Sequence, residues 1–329
     1  MLSDKDHNNN LYGTTIKSKS RDAILGEKYG ERWAKYRSNW DKDIKTAEDI
    51  PDFPLQYEVQ LTDACNLHCG ICHSRKRTGQ KLDMTFFGEA IKEGSQKGLS
   101  ACSFGLDSEG LLKKDMLLKA IDLCRSNGIM DIILGTNGIM LDKTYSKELI
   151  DAGLTLINIS LDAASSETYK LIRRSDSFNR VEKNIKDLIS ARSEQYGLPQ
   201  VRLSFCKTYV NAHEEQAFVE KWQNCVDQVD IQHYISTVGD FRDLAGGKKI
   251  NSKFCKDPFR RVGILANGDV QCCCCSFGHK DIIIGNLSAS SMQDIWQGTK
   301  MRSIQDAFLT DLDEIPDYCK TCLGSRWDF

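Results

Sequence analysis

Residues 57–72 read YEVQLTDACNLHCGIC, a strand-like run that leads directly into three cysteines. Apolar and polar side chains alternate over the first six of these residues, which predicts a β-strand. The cysteines on the loop that follows are Cys65, Cys69 and Cys72. Three thiolates at these spacings can hold one face of a [4Fe-4S] cubane and leave its fourth iron open. A zinc site with His68 or His73 is the alternative, although structural zinc sites usually pair their cysteines as CxxC.

Strand-like segments recur along the chain, with helix-like segments between them. The strand-like segments are 57–62, 100–105, 130–136, 155–161, 201–207 and 229–236. The helix candidates include 85–97, 113–126, 144–152, 178–192 and 214–224. Such alternation is typical of right-handed βαβ units and a parallel sheet. We therefore predict an α/β fold, a partial (β/α)6 TIM-like barrel that is open and carries its active site at the C-terminal ends of the strands.

The chain divides into three predicted parts. Residues 1–50 are polar, contain one predicted amphipathic helix over 25–40, and are interpreted as an N-terminal helical extension. Residues 51–250 form the predicted barrel. Residues 251–329 contain a second group of cysteines and are predicted to form a small iron-sulfur domain, with the boundary close to the glycine-rich break at 245–247.

Composition limits the classes of function. The chain has 329 residues, a formal net charge of -2 and no long run of lysine or arginine, so no nucleic-acid partner is expected. No apolar leader and no segment long enough to span a bilayer are present in the sequence, so we expect a cytoplasmic protein without a membrane partner. Fourteen cysteines would not persist as disulfides in a reducing cytosol, which favours metal binding. The sequence does not indicate the oligomeric state.

The segment CNLHCGIC, residues 65–72, resembles the signature of the radical S-adenosylmethionine (SAM) superfamily, and the resemblance extends from about residue 55 to the C-terminus. In that family SAM chelates the open iron of a [4Fe-4S] cluster. The reduced cluster then cleaves SAM to methionine and a 5′-deoxyadenosyl radical, which removes a hydrogen atom from the substrate. The resemblance also implies an electron donor such as flavodoxin or ferredoxin.

Several other segments resemble SAM-binding motifs of the family. Residues 107–110, DSEG, correspond to its GGEP-like motif, and residues 136–138, TNG, correspond to a family turn. The polar residues of NISLDA, residues 158–163, lie on one face of a strand by period-two alternation. The SAM contacts that the resemblance implies are Glu109, Thr136, Asn137, Ser160, Asp162, Arg173 and Arg202. Two alternatives stay open: Ser160 and Asp162 as a strand end and helix cap, and Arg173 as a solvated helix arginine.

The second group of cysteines resembles the SPASM and twitch domains, which hold auxiliary iron-sulfur clusters. The shorter twitch arrangement fits better, and it implies one further [4Fe-4S] cluster on Cys255, Cys273, Cys319 and Cys322. The dipeptide Asn267-Gly268 predicts a hairpin turn after Cys255. If the returning strand continues through the run CCCC, Cys272 and Cys274 face away from Cys273 and Cys275. Cys272 is the alternative ligand, and a zinc ribbon is the alternative site.

A substrate radical has two outcomes in such an enzyme. A dehydrogenase passes an electron to the auxiliary cluster, whereas an epimerase takes a hydrogen atom from a protein donor. The candidate thiol donors are Cys206, Cys272, Cys274 and Cys275. Each of them is alternatively a small buried hydrophobic residue.

Residues 25–43 and 204–234 resemble radical SAM proteins of surface polysaccharide and aminosugar pathways. We therefore expect a sugar-like substrate (an aminosugar, aminocyclitol or nucleotide sugar) that is oxidised or epimerised at a carbinol carbon. Modification of a ribosomal peptide is the alternative enzymatic hypothesis. A zinc-binding scaffold without catalysis is the hypothesis from another class.

Overall fold

The computed structural model describes most of the chain. The described ranges are 20–72, 77–192, 197–234, 248–250, 254–274, 279–323 and 326–328. Among the predicted features, Cys275 and the last residues of the sixth predicted strand lie outside these ranges.

A single open sheet organises the fold. Its strands are β1 (Gln56–Val59), β2 (Ala101–Phe104), β3 (Asp131–Thr136), β4 (Leu156–Ser160), β5 (Gln200–Lys207), β6 (Gln228–His233), β8 (Arg261–Ile264), β9 (Asp269–Gln271) and β10 (Ile283–Asn286). Strands β1 to β6 pair in chain order and are all parallel. Over the described residues the sheet does not close on itself, which confirms the predicted partial barrel.

The C-terminal part of the chain extends this same sheet. Strand β8 pairs in parallel with β1, while β9 and β10 continue the sheet in antiparallel fashion. The β8–β9 hairpin turns at Gly268, whose φ is +84°, so the predicted hairpin is confirmed. Two short strands, β7 (Lys248–Ile250) and β11 (Arg326–Asp328), pair separately. The boundary near residue 250 stays a prediction, and the sheet runs across it.

Helices connect and cover the strands. They are α1 (Arg21–Tyr29), α2 (Glu31–Asp41), α3 (Met84–Lys97), α4 (Lys114–Ser126), α5 (Lys143–Ala152), α6 (Ser166–Arg173), α7 (Phe178–Arg192), α8 (Glu215–Trp222), α9 (Met292–Gln297), α10 (Thr299–Thr310) and α11 (Asp317–Leu323). Their ends follow ordinary capping rules: Asp83 accepts a hydrogen bond from the first turn of α3, and Gly98 ends the helix in a left-handed conformation. No described helix is both long and apolar enough to cross a membrane.

The N-terminal segment differs from the single helix predicted over 25–40. Gly30 adopts a φ of +56° and separates α1 from α2, because a residue in this conformation interrupts helical hydrogen bonding. The two helices pack Leu25, Trp33 and Tyr36 against Met130 and other residues at the N-terminal ends of the first three strands. The extension therefore covers the end of the barrel opposite to the predicted active site.

Side chains alternate along the strands between an apolar exterior and a polar interior. On β1, Tyr57 and Val59 belong to the core beneath the helices, whereas Gln56 and Glu58 line an internal cavity. On β5, Val201 and Leu203 pack outward and Arg202 lines the same cavity. The barrel interior is thus a polar chamber instead of a packed apolar core.

Gly105, directly after β2, is expected to tolerate no side chain. Its φ is +126°, and a Cβ atom there would lie 2.3 Å from the backbone oxygen of Gly135. We predict that Gly105→Ala lowers the free energy of unfolding by about 2–4 kcal/mol, measured by denaturant titration. Gly110→Ala is the matched control, because nothing lies within 4 Å of a Cβ at that position. Equal effects of the two substitutions would contradict the prediction.

Candidate active site

The loop after β1 carries the cysteine triad to the C-terminal edge of the parallel strands. Its backbone is anchored where Gly70 N donates to the carbonyl of Ile172 at 2.8 Å. Each sulfur of the triad lies beside an N–H group from another part of the site. The contacts are Asn137 Nδ2 to Cys65 Sγ at 3.9 Å, Arg173 Nη1 to Cys69 Sγ at 3.7 Å, and Arg77 Nη2 to Cys72 Sγ at 3.6 Å.

This donor set fits an iron-sulfur cluster. Thiolates are the protein ligands of such clusters, and N–H groups directed at sulfur stabilise their negative charge. The three cysteines are half-buried and line the cavity, so the space beside them is open to a cofactor. Within the described ranges no three Cys, His, Asp or Glu side chains converge on one metal ion. This finding concerns sites that hold a single metal ion. It does not concern a cubane cluster, whose cysteine ligands each bind a different iron.

Glu109 forms a buried network that joins the ends of β2 and β3. Its side chain is 1% exposed. Oε1 accepts from Thr136 Oγ1 at 2.8 Å and from Leu111 N at 3.1 Å, and Oε2 accepts from Asn137 N at 2.8 Å. Burial raises the pKa of the carboxyl, and these donors partly offset the rise. The structure therefore brings Glu109, Thr136 and Asn137 together beside Cys65.

Two residues near this network were not singled out from the sequence. Asn66, inside the cysteine motif, accepts from Asn137 Nδ2 at 2.8 Å. Asp107 takes the first position of the segment that resembles GGEP, and its φ of +48° explains why a glycine suits that position. Burial raises the pKa of Asp107 to about 7, although the charge of Arg77 lowers it. The positive φ is invisible in the sequence once the glycine is replaced.

Asp162 and Arg173 form a buried ion pair on the other side of the triad. Asp162 Oδ2 lies 2.6 Å from Arg173 Nη2, and the side chains are 2% and 11% exposed. Asp162 has a φ of +61°, and its Oδ1 accepts from Cys206 N at 2.8 Å. Arg173 is therefore not a solvated helix arginine. The helix cap is Ser165, which accepts from Thr168 N, so the capping alternative for Asp162 is wrong.

Electrostatics couple this pair to the cysteine loop. Burial lowers the pKa of the Arg173 guanidinium, but Asp162 and Cys69 outweigh that effect and the net shift is upward. Burial raises the pKa of Asp162, and Arg173 reduces the rise. Burial also raises the pKa of the Cys206 thiol, so at neutral pH this residue is a thiol and not a thiolate. The pair holds the end of α6 against the triad.

Ser160 and Arg202 occupy different depths of the same interior face. Ser160 lines the cavity near its mouth and accepts from Ser204 Oγ at 3.3 Å. Arg202 lies two residues before Ser204, the register partner of Ser160, and is therefore roughly 7 Å deeper along the sheet than Ser160. Its Nε donates to Asn158 Oδ1 at 3.2 Å. Arg202 is thus separated from the other predicted SAM contacts, which cluster at the mouth.

The second group of cysteines is arranged differently from the predicted alternation. Strand β9 ends at Gln271, so Cys272, Cys273 and Cys274 do not continue the strand and the period-two argument does not hold for them. Hydrogen bonding links the thiol of Cys272 to those of Cys273 and Cys319. Cys274 turns into the barrel cavity, where its thiol donates to Asp257 Oδ2 at 3.6 Å. Cys255 and Cys322 are half-buried.

The cavity connects these features. It has a volume of about 1000 Å³ and is lined by the triad, the Glu109 and Asp162 networks, the interior of the barrel, Cys274 and the N-terminal helices. Its wall between β1 and β8 is an ionic network that the sequence did not reveal. Arg261 lies 3.1 Å from Glu58 Oε1 and 2.6 Å from Asp257 Oδ1. Glu58 and Arg261 are 203 residues apart, so only tertiary structure identifies them as partners.

Two family models match the chain. The radical SAM superfamily model matches residues 59–198, and the SPASM model, an iron-sulfur cluster-binding domain, matches residues 255–323. Together they cover well over half of the chain, and the two matched regions contain all seven cysteines predicted as cluster ligands. These matches confirm SAM and iron-sulfur clusters as the cofactors. The identity of each ligand stays a proposal.

Curated relatives match over part of their length. An uncharacterized protein of Methanocaldococcus jannaschii is 40% identical over 128 residues, 39% of this chain and 41% of that protein. A probable GTP 3′,8-cyclase of Methanococcus maripaludis is 32% identical over 152 residues, 45% and 48% of the two chains. One from Saccharolobus solfataricus is 32% identical over 183 residues, 52% and 54%. The chain thus matches about half the length of these relatives.

Solved structures share the fold at low identity. BtrN in complex with AdoMet and 2-DOIA has a TM-score of 0.55 and 16% identity over 83% of this chain and 94% of that one. Streptococcus suis SuiB bound to precursor peptide SuiA has a TM-score of 0.62 and 16% identity over 85% and 71%. The protein anSMEcpe with AdoMet and a peptide has a TM-score of 0.61 and 14% identity over 83% and 89%. On the family matches and this fold, the chain belongs to the radical SAM superfamily and carries a SPASM iron-sulfur domain.

Glu109 is expected to support both stability and SAM binding. In Glu109→Gln an amide NH₂ would face one of the three N–H or O–H donors, leaving buried groups unpaired. We predict a loss of about 1–3 kcal/mol in the free energy of unfolding and weaker SAM binding, measured by calorimetry on anaerobically reconstituted protein. Glu89→Gln, on the partly exposed surface of α3, is the control. Unchanged stability and SAM affinity in Glu109→Gln would contradict the assigned role.

The auxiliary ligand set is tested by iron content and electron paramagnetic resonance. Substitution of a true ligand is expected to reduce iron by up to about four atoms per chain and to remove one cluster signal. Cys273→Ala and Cys272→Ala separate the two candidates, with Cys225→Ala at an exposed cysteine as the control. We predict that Cys273→Ala loses this iron and one cluster signal. Loss in Cys272→Ala with full iron in Cys273→Ala would reverse the assignment.

Proposed function

We propose that this radical SAM enzyme removes a hydrogen atom from a carbinol carbon of a sugar-like substrate, either an aminosugar, an aminocyclitol or a nucleotide sugar. The product is the ketone or the epimer. The observation that supports this best is a polar cavity that runs from the Cys65, Cys69 and Cys72 triad to the thiol of Cys274. When bound, the cluster and SAM supply the 5′-deoxyadenosyl radical.

In this proposal the residues at the cavity mouth bind SAM. Glu109, with the turn of Thr136 and Asn137, lies beside Cys65 and accepts hydrogen bonds. Ser160 and the Asp162–Arg173 pair form the opposite side of the mouth. The proposed ligands of the auxiliary cluster are Cys255, Cys273, Cys319 and Cys322. A flavodoxin or ferredoxin is the proposed electron donor.

A hydroxyl-rich substrate suits the deeper chamber. Its walls carry amides, hydroxyls and charged groups from every parallel strand, including Gln56, Ser103, Asn158 and Gln228. A site built from hydrogen-bonding side chains favours a ligand that pairs with them, because unpaired buried polar groups cost free energy. Apolar substrates would leave these groups without partners.

The two cavity thiols lie on opposite walls. Cys206 belongs to β5, on the side of the Asp162–Arg173 pair. Cys274 lies beside Asp257 and Arg261, on the β1–β8 side. In the epimerase form of the proposal we assign Cys274 as the hydrogen-atom donor to the substrate radical. Transfer of hydrogen from that thiol inverts the carbon and leaves a thiyl radical, which one electron and one proton from the reductant return to the thiol.

Peptide modification is the second candidate function. Two of the structural neighbours, SuiB and anSMEcpe, are described in complex with peptides. The relatives described as probable GTP 3′,8-cyclases instead favour a nucleotide-containing substrate, which the nucleotide-sugar form of the proposal includes. Binding of a precursor peptide in preference to sugars would favour the second candidate.

The central experiment is an anaerobic assay with SAM, reductant and candidate sugars. We expect 5′-deoxyadenosine from the reconstituted enzyme, with a ketone or an epimerised sugar as the second product. Metal analysis should give about eight irons per chain for two cubanes. Absence of 5′-deoxyadenosine under all conditions would reject radical SAM activity, and zinc without iron would favour the scaffold hypothesis.

Cys274→Ser separates the two outcomes. If the enzyme is an epimerase that uses Cys274, the variant should form 5′-deoxyadenosine but lose inversion, and wild-type product made in D₂O should contain one deuterium. Cys206→Ser is the matched control on the opposite wall and should retain inversion. If inversion persists in Cys274→Ser and fails in Cys206→Ser, Cys206 is the hydrogen-atom donor. A ketone product unchanged in both variants would establish dehydrogenation.

A further inference from the structure

Arg202 is the third of the eight residues of β5 and faces the chamber. In the parallel register it lies beside Asn158 of β4 and Gln228 of β6, and all three line the cavity. The SAM contacts proposed above lie at the mouth, and α1 and α2 cover the opposite end. Arg202 therefore lies between the mouth and the covered end of the chamber, in the region where we place the substrate.

The guanidinium of Arg202 lacks a carboxylate partner among the described residues. Its Nε donates to an amide oxygen, that of Asn158, and no described carboxylate lies within the 4.0 Å of an ion pair. Three other arginines of the cavity form ion pairs with carboxylates. The pairs are Arg173 with Asp162, Arg261 with Asp257 and Glu58, and Arg21 with Asp131.

An unpaired cation inside a protein carries a free-energy cost. Burial lowers the pKa of Arg202, and the charges of Asp230, Glu58 and Asp131 oppose this from a distance while Arg21 adds to it. A folded chain gains nothing by holding a guanidinium in this position. Residues that reduce stability in this way are commonly retained for binding.

A neighbouring carboxylate is also incompletely satisfied. Asp230 follows Gln228 on the interior face of β6 and lies level with Ser204. Its Oδ2 accepts from Gln232 Nε2 at 2.7 Å, whereas its buried Oδ1 has no hydrogen-bond donor among the described residues. Arg202 in the chamber thus lacks a carboxylate acceptor, and Asp230, which is fully buried between the lining residues Gln228 and Gln232 of β6, lacks a donor for its Oδ1.

We propose that Arg202 binds an oxyanion of the substrate, a carboxylate or a phosphate, and that Asp230 accepts a hydrogen bond from a hydroxyl or ammonium group next to it. This proposal rests on the proposed function and narrows its substrate to acidic or phosphorylated sugars. Arginine suits the task because its planar guanidinium binds such groups through two parallel hydrogen bonds. The SAM carboxylate is a poor occupant, because it belongs next to the cysteine triad at the mouth.

The test measures thermal unfolding of cluster-loaded protein with SAM bound, under anaerobic conditions and at constant ionic strength. Inorganic phosphate and glucuronate are the probes, and glucose is the neutral control. We expect phosphate, glucuronate or both to raise the unfolding temperature of the wild type and glucose not to do so. The two anions distinguish a phosphorylated substrate from a sugar acid. Arg202→Met should abolish the shift, and Arg202→Lys should retain part of it.

The substitution also has a signature without ligand. Arg202→Met should unfold at or above the wild-type temperature, because it removes a partly buried cation that has no carboxylate partner among the described residues. Arg261→Met is the matched comparison, because it removes an arginine of the same cavity that is paired with Glu58 and Asp257. This variant should unfold roughly 5 °C or more below wild type. Destabilisation of Arg202→Met by as much as Arg261→Met would make Arg202 structural and overturn the proposal.

Two further outcomes would overturn it. The first is no response of the wild type to either anion, since ordered water would then satisfy Arg202 and Asp230. The second is weaker SAM binding in Arg202→Met with an unchanged response to anions, which would show that Arg202 contacts SAM, as the sequence analysis predicted. Failure of the proposed function is seen separately, as absence of 5′-deoxyadenosine from wild-type enzyme whose unfolding temperature still rises with anion.

Discussion

The buried carboxylate of Glu109 is the interaction on which the candidate active site depends. A carboxylate that is 1% exposed is costly to fold unless donors surround it. The donors come from the turn after β3 and from the helical turn that follows Glu109 itself. Satisfying one buried charge therefore fixes two strand ends relative to each other. It also orients Asn137, whose amide reaches Asn66 and Cys65.

A second set of contacts positions the triad in the same way from its other side. Asp162 holds Arg173, and Arg173 in turn contacts the sulfur of Cys69. In both cases a buried carboxylate orients an N–H donor, and the donor is directed at a cysteine sulfur. The cysteine loop is thus positioned by contacts from the ends of two parallel strands and not by its own local structure. Such positioning suits a loop whose ligands bind a cluster that the folded protein receives later.

The sequence predicted the elements better than the contacts between them. Short apolar or alternating runs located the strands β1 to β6, because each strand has one face toward the helices and one toward the chamber. The sequence prediction failed where the pattern of a helix or strand continued but the backbone left that conformation. Gly30 breaks an apparently continuous helix, and β9 ends before the run of cysteines. The pairing of Glu58 with Arg261 depends on β8 joining β1, which no local pattern encodes.

That pairing of β8 with β1 also determines how the two cysteine groups relate. Because the C-terminal segment continues the barrel sheet, one of its cysteines, Cys274, lies at the chamber wall. Within one short bend, Cys272 and Cys273 group with Cys319, while Cys274 enters the chamber. Adjacent residues thus contact both the proposed auxiliary cluster and the proposed substrate. The thiol of Cys274 would give a hydrogen atom directly to a substrate radical in the chamber, whereas an auxiliary cluster held by the neighbouring cysteines would accept an electron across a few covalent bonds.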